Sequence, residues 1–314
     1  MERDDALMIE TLKQTEHFSW YHVTNMNSQD KQSLLTEHGL TEQMLGYAND
    51  NNESVRMEFD PDVNEALIIL DVISAEPEPV LTRPIGIVLV HGDLYTFAHR
   101  PTDYIKKDFL SLQTDDQGEA VEQMSAFDFL IDGIYPLMTM YGDEITEINR
   151  QRRAIQAQFG NRKQLTKHTN DLLHLQIQMI YLQNSLANNL IMLNQVKRSY
   201  QDHLNEEQTD RIDAVRVEVE QARDMAGLAM EVINAVSDAT GSLGNRDLNW
   251  TMKVLTVYSI VFTIPTIVSG FYGENVDYLP FAHGAHGWWV TIIIMFLMMI
   301  GATYLFYHYG FLKK

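Results

Sequence analysis

Two long apolar stretches, residues 254–271 and 288–307, lie near the C-terminus of this chain. Each is close to the roughly 20 residues that an α-helix needs to cross the hydrocarbon core of a bilayer. No charged residue interrupts the run from Trp288 to Met299, which argues against a hairpin buried inside a soluble protein. The pattern therefore predicts two membrane-spanning helices joined by a short loop.

Charge and composition restrict what the rest of the chain can do. The 43 acidic and 23 basic side chains give a formal net charge of −20. Such a balance argues against nucleic-acid binding and favours the attraction of cations. The chain has no cysteine, which excludes disulfides and thiolate metal sites. The first residues are charged and do not resemble a secretory signal, so we expect the part before the spans to lie in the cytoplasm.

The distribution of basic residues predicts the topology of the two spans. The loop 272–287 contains neither Lys nor Arg, whereas Arg246 and Lys253 precede the first span and Lys313 and Lys314 follow the second. Basic residues flanking membrane helices favour the cytoplasmic side. We therefore expect a multi-pass protein of the inner or plasma membrane, with both termini in the cytoplasm.

The first third of the chain has the pattern of a mixed α/β domain. Glu65–Ser74 and Ile85–Val90 are short apolar runs rich in β-branched residues, which is typical of buried strands. A turn at His91-Gly92 after the second run predicts a β-hairpin. Pro84, together with the prolines at 77 and 79, predicts a loop before that hairpin.

Helices dominate from residue 119 onward. Phe127–Arg153 and Asp171–Arg198 carry Leu, Ile and Met at spacings of three and four residues, which predicts a helical pair. A very long helix follows, and its apolar seam alternates by three and four residues. The seam comprises Ile212, Val215, Val219, Ala222, Ala226, Ala229, Ile233 and Val236, and continues through Leu243, Trp250, Val254, Val257, Val261 and Ile264. The same helix is thus expected to run into the first span, although Gly241 and Gly244 could loosen it.

A second stripe of small and polar residues follows the same helix. Its members are Asp238, Ser242, Asn245, Asn249, Met252, Thr256, Ser259, Thr263, Thr266 and Gly270. Polar groups at membrane depth face protein or water, because hydrocarbon cannot satisfy them. The stripe either lines a pore or lets helices pack closely. Its continuation into Gly273 and Asn275 favours the pore, and since one hairpin cannot enclose a pore, the chain would have to oligomerise.

These residues resemble a known family. Asn249–Thr256, then Phe262 and Pro265, and finally Gly270–Asn275 resemble the CorA magnesium transporters. That family belongs to the two-transmembrane Gly-x-Asn superfamily, which also contains the ZntB zinc transporters. The C-terminal match is specific, whereas the N-terminal match concerns only the order of elements.

The resemblance implies a fold class and a division into domains. It implies an α+β cytoplasmic domain of αβα type, a long stalk helix and a two-helix transmembrane hairpin, assembled as a funnel-shaped homopentamer in the lipid bilayer. The expected segments are the α/β domain 1–118, the helical pair 119–205, the stalk and first span 206–271, the external loop 272–287, and the second span with a basic tail 288–314.

The resemblance also implies site residues. The pore would be lined by Asn249, Met252, Leu255, Ser259, Thr263, Thr266 and Gly270. A ring of Gly273, Glu274 and Asn275 would form the selectivity filter, with the Asn holding a hydrated Mg²⁺ through its water shell. Family members bind regulatory divalent ions between cytoplasmic domains, and Asp210 and Asp213 are candidates for that role. No catalytic residue and no cofactor other than the transported Mg²⁺ is expected.

Glu274 departs from the family pattern, which is usually Gly-Met-Asn. Five copies would place five negative charges around one axis, and two unit charges 4 Å apart repel by about 1 kcal/mol even in water. Either Glu274 faces the mouth and concentrates divalent ions, or it points away from the axis and leaves Asn275 to act alone.

The function expected from these features is passage of divalent cations. Mg²⁺ is the first candidate, with Co²⁺ or Ni²⁺ also accepted, driven by the membrane potential and gated by intracellular divalent ions. A Zn²⁺ transporter of the ZntB type and a non-conducting membrane-anchored sensor are the alternatives.

Overall fold

The computed structural model describes residues 9–76, 80–112, 121–158, 165–274 and 286–312. The chain divides into two compact units, Met1–Ser237 and Asp238–Lys314. The prolines at 77 and 79 and the predicted filter residue Asn275 lie outside these ranges, so the predictions made for them fall outside the described residues.

The first unit contains a six-stranded mixed sheet. Its strands are β1 (Ile9–Gln14), β2 (Ser19–Thr24), β3 (Arg56–Asp60), β4 (Glu65–Ile73), β5 (Thr82–Val90) and β6 (Asp93–Ala98). The spatial order is β1-β2-β6-β5-β4-β3, and β2 and β6 form the parallel pair. The predicted hairpin is confirmed as β5–β6. His91 and Gly92 both have positive φ angles, 53° and 84°, as a two-residue type I′ turn requires.

Pro84 does not lie in a loop as predicted; it lies inside β5, opposite Asp71 of β4. Proline cannot donate a ladder hydrogen bond, so it is tolerated near a strand end more readily than at its centre. Pro84 is the third residue of β5, and the strand continues through the apolar run that the sequence identified.

Helices cover both faces of the sheet. One face packs with α1 (Ser28–Thr36) and α2 (Glu42–Ala48) around a small core that includes Leu34, Leu45 and Phe97. The other face packs in a larger core with α3 (Ile105–Ser111), α4 (Ala126–Ala157) and α5 (Leu165–Ser199). This is the expected αβα arrangement, and it arises because β4 and β5 are apolar on both faces.

The long helix α6 runs from Glu206 to Tyr272 and the last helix, α7, from Gly287 to His308. Gly241 and Gly244 do not interrupt α6. Within the first unit the predicted seam is confirmed, since all eight residues from Ile212 to Val236 are at most 7% exposed. Seven of them, from Ile212 to Ile233, belong to the same core as α4 and α5. Trp250 is an exception to the predicted register, because it is 36% exposed.

Candidate functional site

Two of the described helices are long and apolar enough to cross a membrane. Each contains an apolar stretch of 18 residues, and the chain itself buries only 17% of the stretch in α6 and 0% of the stretch in α7. Core helices of soluble proteins are mostly covered by their own fold, so this apolar surface needs hydrocarbon or other protein around it.

Within the second unit, one face of α6 is covered. Val257, Val261 and Val268 are 6%, 9% and 7% exposed. These positions recur at four and seven residues, so they fall on one side of the helix. Val261 lines a cavity together with Phe296 and Ile300 of α7, which identifies α7 as the neighbour on this side.

All seven residues predicted to line a pore lie on exposed surface of α6. Thr266 is nine residues beyond Val257, and nine residues are about 2.5 turns at 3.6 residues per turn, so the two side chains point in opposite directions. Met252 and Leu255 are 60% and 56% exposed. The chain thus leaves the candidate pore face open and covers the opposite one.

The hydroxyl groups on this part of α6 donate their protons to the helix itself. Thr263 Oγ1 donates to the carbonyl of Ser259 at 2.7 Å, and Thr256 Oγ1 donates to the carbonyl of Met252 at 2.8 Å. A hydroxyl that has used its one proton still offers oxygen lone pairs as acceptors. The two hydroxyl oxygens can therefore accept hydrogen bonds from water.

At the end of α6 the backbone closes tightly around Gly273. Its N–H group donates to the carbonyls of Ser269 and Gly270 at 2.9 and 3.1 Å. A Cβ atom at this position would lie 3.1 Å from the Ser269 carbonyl oxygen, which is closer than ordinary contact. The next residue, Glu274, is exposed. Glycine at 273 thus allows a compact helix end that presents the following carboxylate to solvent.

The two candidate regulatory acids have different surroundings. Asp210 is exposed near the start of α6, whereas Asp213 accepts hydrogen bonds from Lys197 Nζ at 2.7 and 2.8 Å and lies 3.3 Å from Arg216 Nε. The hydrogen bond from Lys197 lowers the pKa of Asp213, so this carboxylate stays ionised. No cluster of three or more His, Asp or Glu side chains suited to a metal occurs in the described part of the chain.

Sequence reasoning did not identify Lys197 as the partner of Asp213. The two residues are 16 positions apart and lie on different helices, α5 and α6. The charge pattern of one helix reveals only pairs at i, i+3 or i, i+4, such as Asp213 with Arg216. A contact between helices requires knowledge of how they pack.

Comparison with known proteins identifies relatives that share this architecture. The sequence profile of the "CorA-like Mg2+ transporter protein" family matches residues 15–308. The cobalt/magnesium transport protein CorA of Methanocaldococcus jannaschii is 30% identical over 141 residues, 45% of this chain and 44% of the relative. The putative metal ion transporter YfjQ of Bacillus subtilis is 26% identical over 193 residues, 58% of this chain and 55% of the relative. The matched segments thus span about half the length of these two relatives.

Solved structures show the same fold over nearly the whole chain. The complete CorA magnesium transporter of M. jannaschii superposes with a TM-score of 0.80 at 22% identity, covering 94% of this chain and 92% of that one. The full-length CmaX protein gives a TM-score of 0.69 at 17% identity, covering 92% and 88%. Since the family profile extends over almost every residue and the fold agrees from the sheet to the last helix, the chain belongs to the CorA-like Mg²⁺ transporter family.

Proposed function

We propose that this protein is a channel for hydrated divalent cations, with Mg²⁺ as its main substrate and Co²⁺ as a second. The observation that carries the proposal is the placement of the polar stripe on the face of α6 opposite Val257, Val261 and Val268. The chain covers the apolar valines and leaves Ser259, Thr263 and Thr266 open. Open polar side chains at membrane depth are consistent with a water-filled path.

The proposed channel is a homopentamer, with the first span inside and the second outside. A single hairpin cannot surround an axis, so several copies must each contribute one α6. Exposed apolar residues on the helices of the first unit support such association. Ile177 and Ile180 of α5 are 44% and 56% exposed, and Leu228 and Val232 of α6 are 66% and 42% exposed. Soluble surfaces rarely leave so much aliphatic area uncovered along neighbouring helices.

The proposed lining suits an ion that keeps its water. Mg²⁺ dehydrates reluctantly and is held through several bound waters. The protons of those waters point outward, so the lining must offer acceptors. The Thr263 hydroxyl, which donates to the Ser259 carbonyl, offers lone pairs to them. Gly270 has no side chain, which leaves room for a hydrated ion.

The mouth of the proposed path is formed by Gly273, Glu274 and Asn275. We assign the selection of a hydrated ion to the Asn275 amide and the accumulation of cations to the ring of Glu274 carboxylates. The exposure of Glu274 at the end of α6 supports the second role. A ring of like charges raises the local concentration of divalent cations and is itself stabilised by their presence.

Regulation by intracellular Mg²⁺ is assigned to Asp210 and Asp213. The Lys197 ammonium already occupies the Asp213 carboxylate. A regulatory cation would therefore have to compete with Lys197, and binding would be weak. Weak binding suits a feedback site, because such a site should fill only when the internal cation concentration is high.

The membrane potential supplies the proposed driving force. A divalent ion moving through 100 mV gains about 4.6 kcal/mol, twice the value for one charge. Cation uptake then requires the first unit and both termini to lie on the negative side, in the cytoplasm. The basic residues Arg246 and Lys253 before the first span support that orientation.

Flux into liposomes tests this proposal. The purified full-length protein is reconstituted with a Mg²⁺-sensitive dye inside, and an inward-negative potential is imposed with K⁺ and valinomycin at equal pH on both sides. The proposal predicts Mg²⁺ influx that scales with the potential. Influx that requires a pH gradient and prefers Zn²⁺ would replace it with a coupled zinc transporter. The absence of any flux would favour a sensor.

A further inference from the structure

An apolar groove lies beside α7 within the second unit. It is lined by Val261 of α6 and by Phe296, Ile300, Thr303, Tyr307 and Leu312, and its volume is about 500 Å³. That volume falls within the range of about 300–1,000 Å³ typical of small-molecule sites. The groove is almost wholly apolar. Thr303 contributes little polarity, because its hydroxyl donates to the Met299 carbonyl at 2.8 Å.

The groove has the length of one leaflet. From Phe296 to Tyr307 is 11 residues of helix, or about 16 Å at 1.5 Å per residue. Half of the roughly 30 Å hydrocarbon core of a bilayer is nearly the same length. Phe296 lies near the middle of α7 and Tyr307 near its end. An acyl chain that enters at Tyr307 would therefore reach Phe296 close to the bilayer centre.

A positive charge lies near one end of the groove. The ammonium of Lys253 lies 6.0 Å from the ring centre of Phe311, which precedes the lining residue Leu312. Lysine at the end of a membrane helix places its ammonium at the headgroup level. An anionic phosphate at that level would meet Lys253 while its acyl chain fills the groove.

The groove also faces away from the proposed path. Val261 lies four residues from Val257 on the covered side of α6, whereas Thr266 lies on the opposite side. If the stripe faces the axis of an oligomer, the groove faces outward. This step rests on the proposed function. A groove that faces outward is surrounded by lipid and not by the water of the proposed pore.

We propose that the groove between α6 and α7 binds one acyl chain of an anionic phospholipid, whose phosphate pairs with Lys253. The chain thus carries a lipid site with a preference for negatively charged headgroups in the leaflet next to Lys253. A bound acyl chain would pack between α6 and α7. The lipid composition of the membrane would therefore affect the position of α6, the helix that carries the polar stripe.

Spin-labelled lipids test the proposal without ion flux. The full-length protein is reconstituted in phosphatidylcholine liposomes that contain a trace of phosphatidylglycerol or phosphatidylcholine, each with a nitroxide near the end of one acyl chain. Wild type should immobilise phosphatidylglycerol at least threefold more than phosphatidylcholine, on the order of a 0.7 kcal/mol preference. Lys253→Gln should abolish the headgroup preference. Thr303→Phe should fill the groove and reduce the immobilised fraction.

Two control variants match these changes. Leu297→Phe adds an aromatic ring on α7 outside the groove, and Arg246→Gln removes a charge before the first span; both should keep the preference. Equal immobilisation of the two lipids by wild type, or a preference that survives Lys253→Gln and Thr303→Phe together, would overturn the site.

A second copy of the chain is the competing occupant. A nitroxide on an Ile300→Cys variant should be accessible to oxygen dissolved in the bilayer, and a strongly shielded label would overturn the lipid site in favour of a protein contact. Failure of Mg²⁺ flux in wild type would leave these lipid readouts unchanged, so the two proposals fail separately.

Discussion

The hydroxyl of Thr263 donates a hydrogen bond to the backbone carbonyl of Ser259 at 2.7 Å, one turn earlier on α6. The bond satisfies the only proton of a polar group that lies inside an apolar span. The oxygen keeps its lone pairs as hydrogen-bond acceptors. The same pattern recurs at Thr303 of α7, which donates to the Met299 carbonyl at 2.8 Å. These two threonines therefore differ in location but not in local bonding.

That pair provides a matched test of the lining. Thr263→Val removes an acceptor from the proposed path while keeping the shape of the side chain. Loss of one hydrogen bond worth about 1 kcal/mol should lower Mg²⁺ flux about fivefold. Thr303→Val removes the same hydroxyl from α7 and should leave the flux unchanged. Equal effects of the two variants in the liposome assay would show that Thr263 acts through helix packing rather than through water.

Glu274 should set how the channel responds to external Mg²⁺. Glu274→Gln keeps the size of the side chain and removes the charge, so the accumulation of cations at the mouth should fall. Initial flux should decrease several-fold at low external Mg²⁺ and at low ionic strength, and recover as Mg²⁺ approaches saturation. Glu274→Met should behave in the same way. Uptake and selectivity unchanged in both variants would indicate that the carboxylate points away from the axis.

The Lys197 ammonium should lower the affinity for Mg²⁺ of the regulatory site that we assign to Asp210 and Asp213. In Lys197→Gln the Asp213 carboxylate loses its ammonium partner, so internal Mg²⁺ should inhibit flux at lower concentration than in wild type. Asp213→Asn should shift the inhibition to higher concentration. The measurement is flux against internal Mg²⁺ in preloaded liposomes. Identical inhibition curves for all three proteins would remove Asp213 from the regulatory site.

His22 should make the stability of the first unit depend on pH. This side chain is fully buried; its Nδ1 lies 2.8 Å from Thr96 Oγ1 and its Nε2 lies 3.0 Å from Asp103 Oδ1. Burial lowers the pKa of His22 below its ordinary value, although Asp103 opposes the shift. Burial alone would raise the pKa of Asp103, but hydrogen bonds from Thr24, Lys106 and His22 hold it at about 2.

The direction of this pH dependence follows from which state, folded or unfolded, binds a proton on His22 at the higher pH. Below a pH of about 6.5 the unfolded state takes up a proton on this histidine before the folded state does. The free energy of unfolding should therefore fall with decreasing pH, by at most about 1.4 kcal/mol per unit. Asp103 adds no change in this window, because it stays ionised well below it. Thermal unfolding between pH 7.5 and pH 5.5 should show a smaller loss in His22→Gln than in wild type, and an equal loss would contradict the assignment.

Much of the fold is readable from periodicity. The seam from Ile212 to Val236 is predicted residue by residue, because a buried helix face repeats at 3.6 residues over many turns. Strands β1 and β2 are not. β1 is an edge strand of mostly polar residues, and β2 pairs in parallel with β6, more than 70 positions away along the chain. Neither strand carries a long local pattern, so their pairing depends on contacts distant in sequence.

The candidate site is predicted in part. The polar stripe is visible in the sequence, but a stripe of small residues fits a pore and a packed helix interface equally well. The burial of Val257, Val261 and Val268 identifies the face of α6 that α7 covers, which the sequence pattern does not reveal. The pairing of Asp213 with Lys197 depends on how α5 packs against α6, which the sequence pattern of one helix does not reveal.

Cysteine accessibility can locate the ion path along α6, because the chain contains no cysteine of its own. Single variants Thr266→Cys and Val268→Cys, two residues apart on α6, are reconstituted and treated with a small positively charged thiosulfonate reagent during Mg²⁺ flux. We expect the reagent to block flux through Thr266→Cys and to spare Val268→Cys. Block of Val268→Cys with Thr266→Cys unaffected, or no difference between them, would contradict a path along the polar stripe.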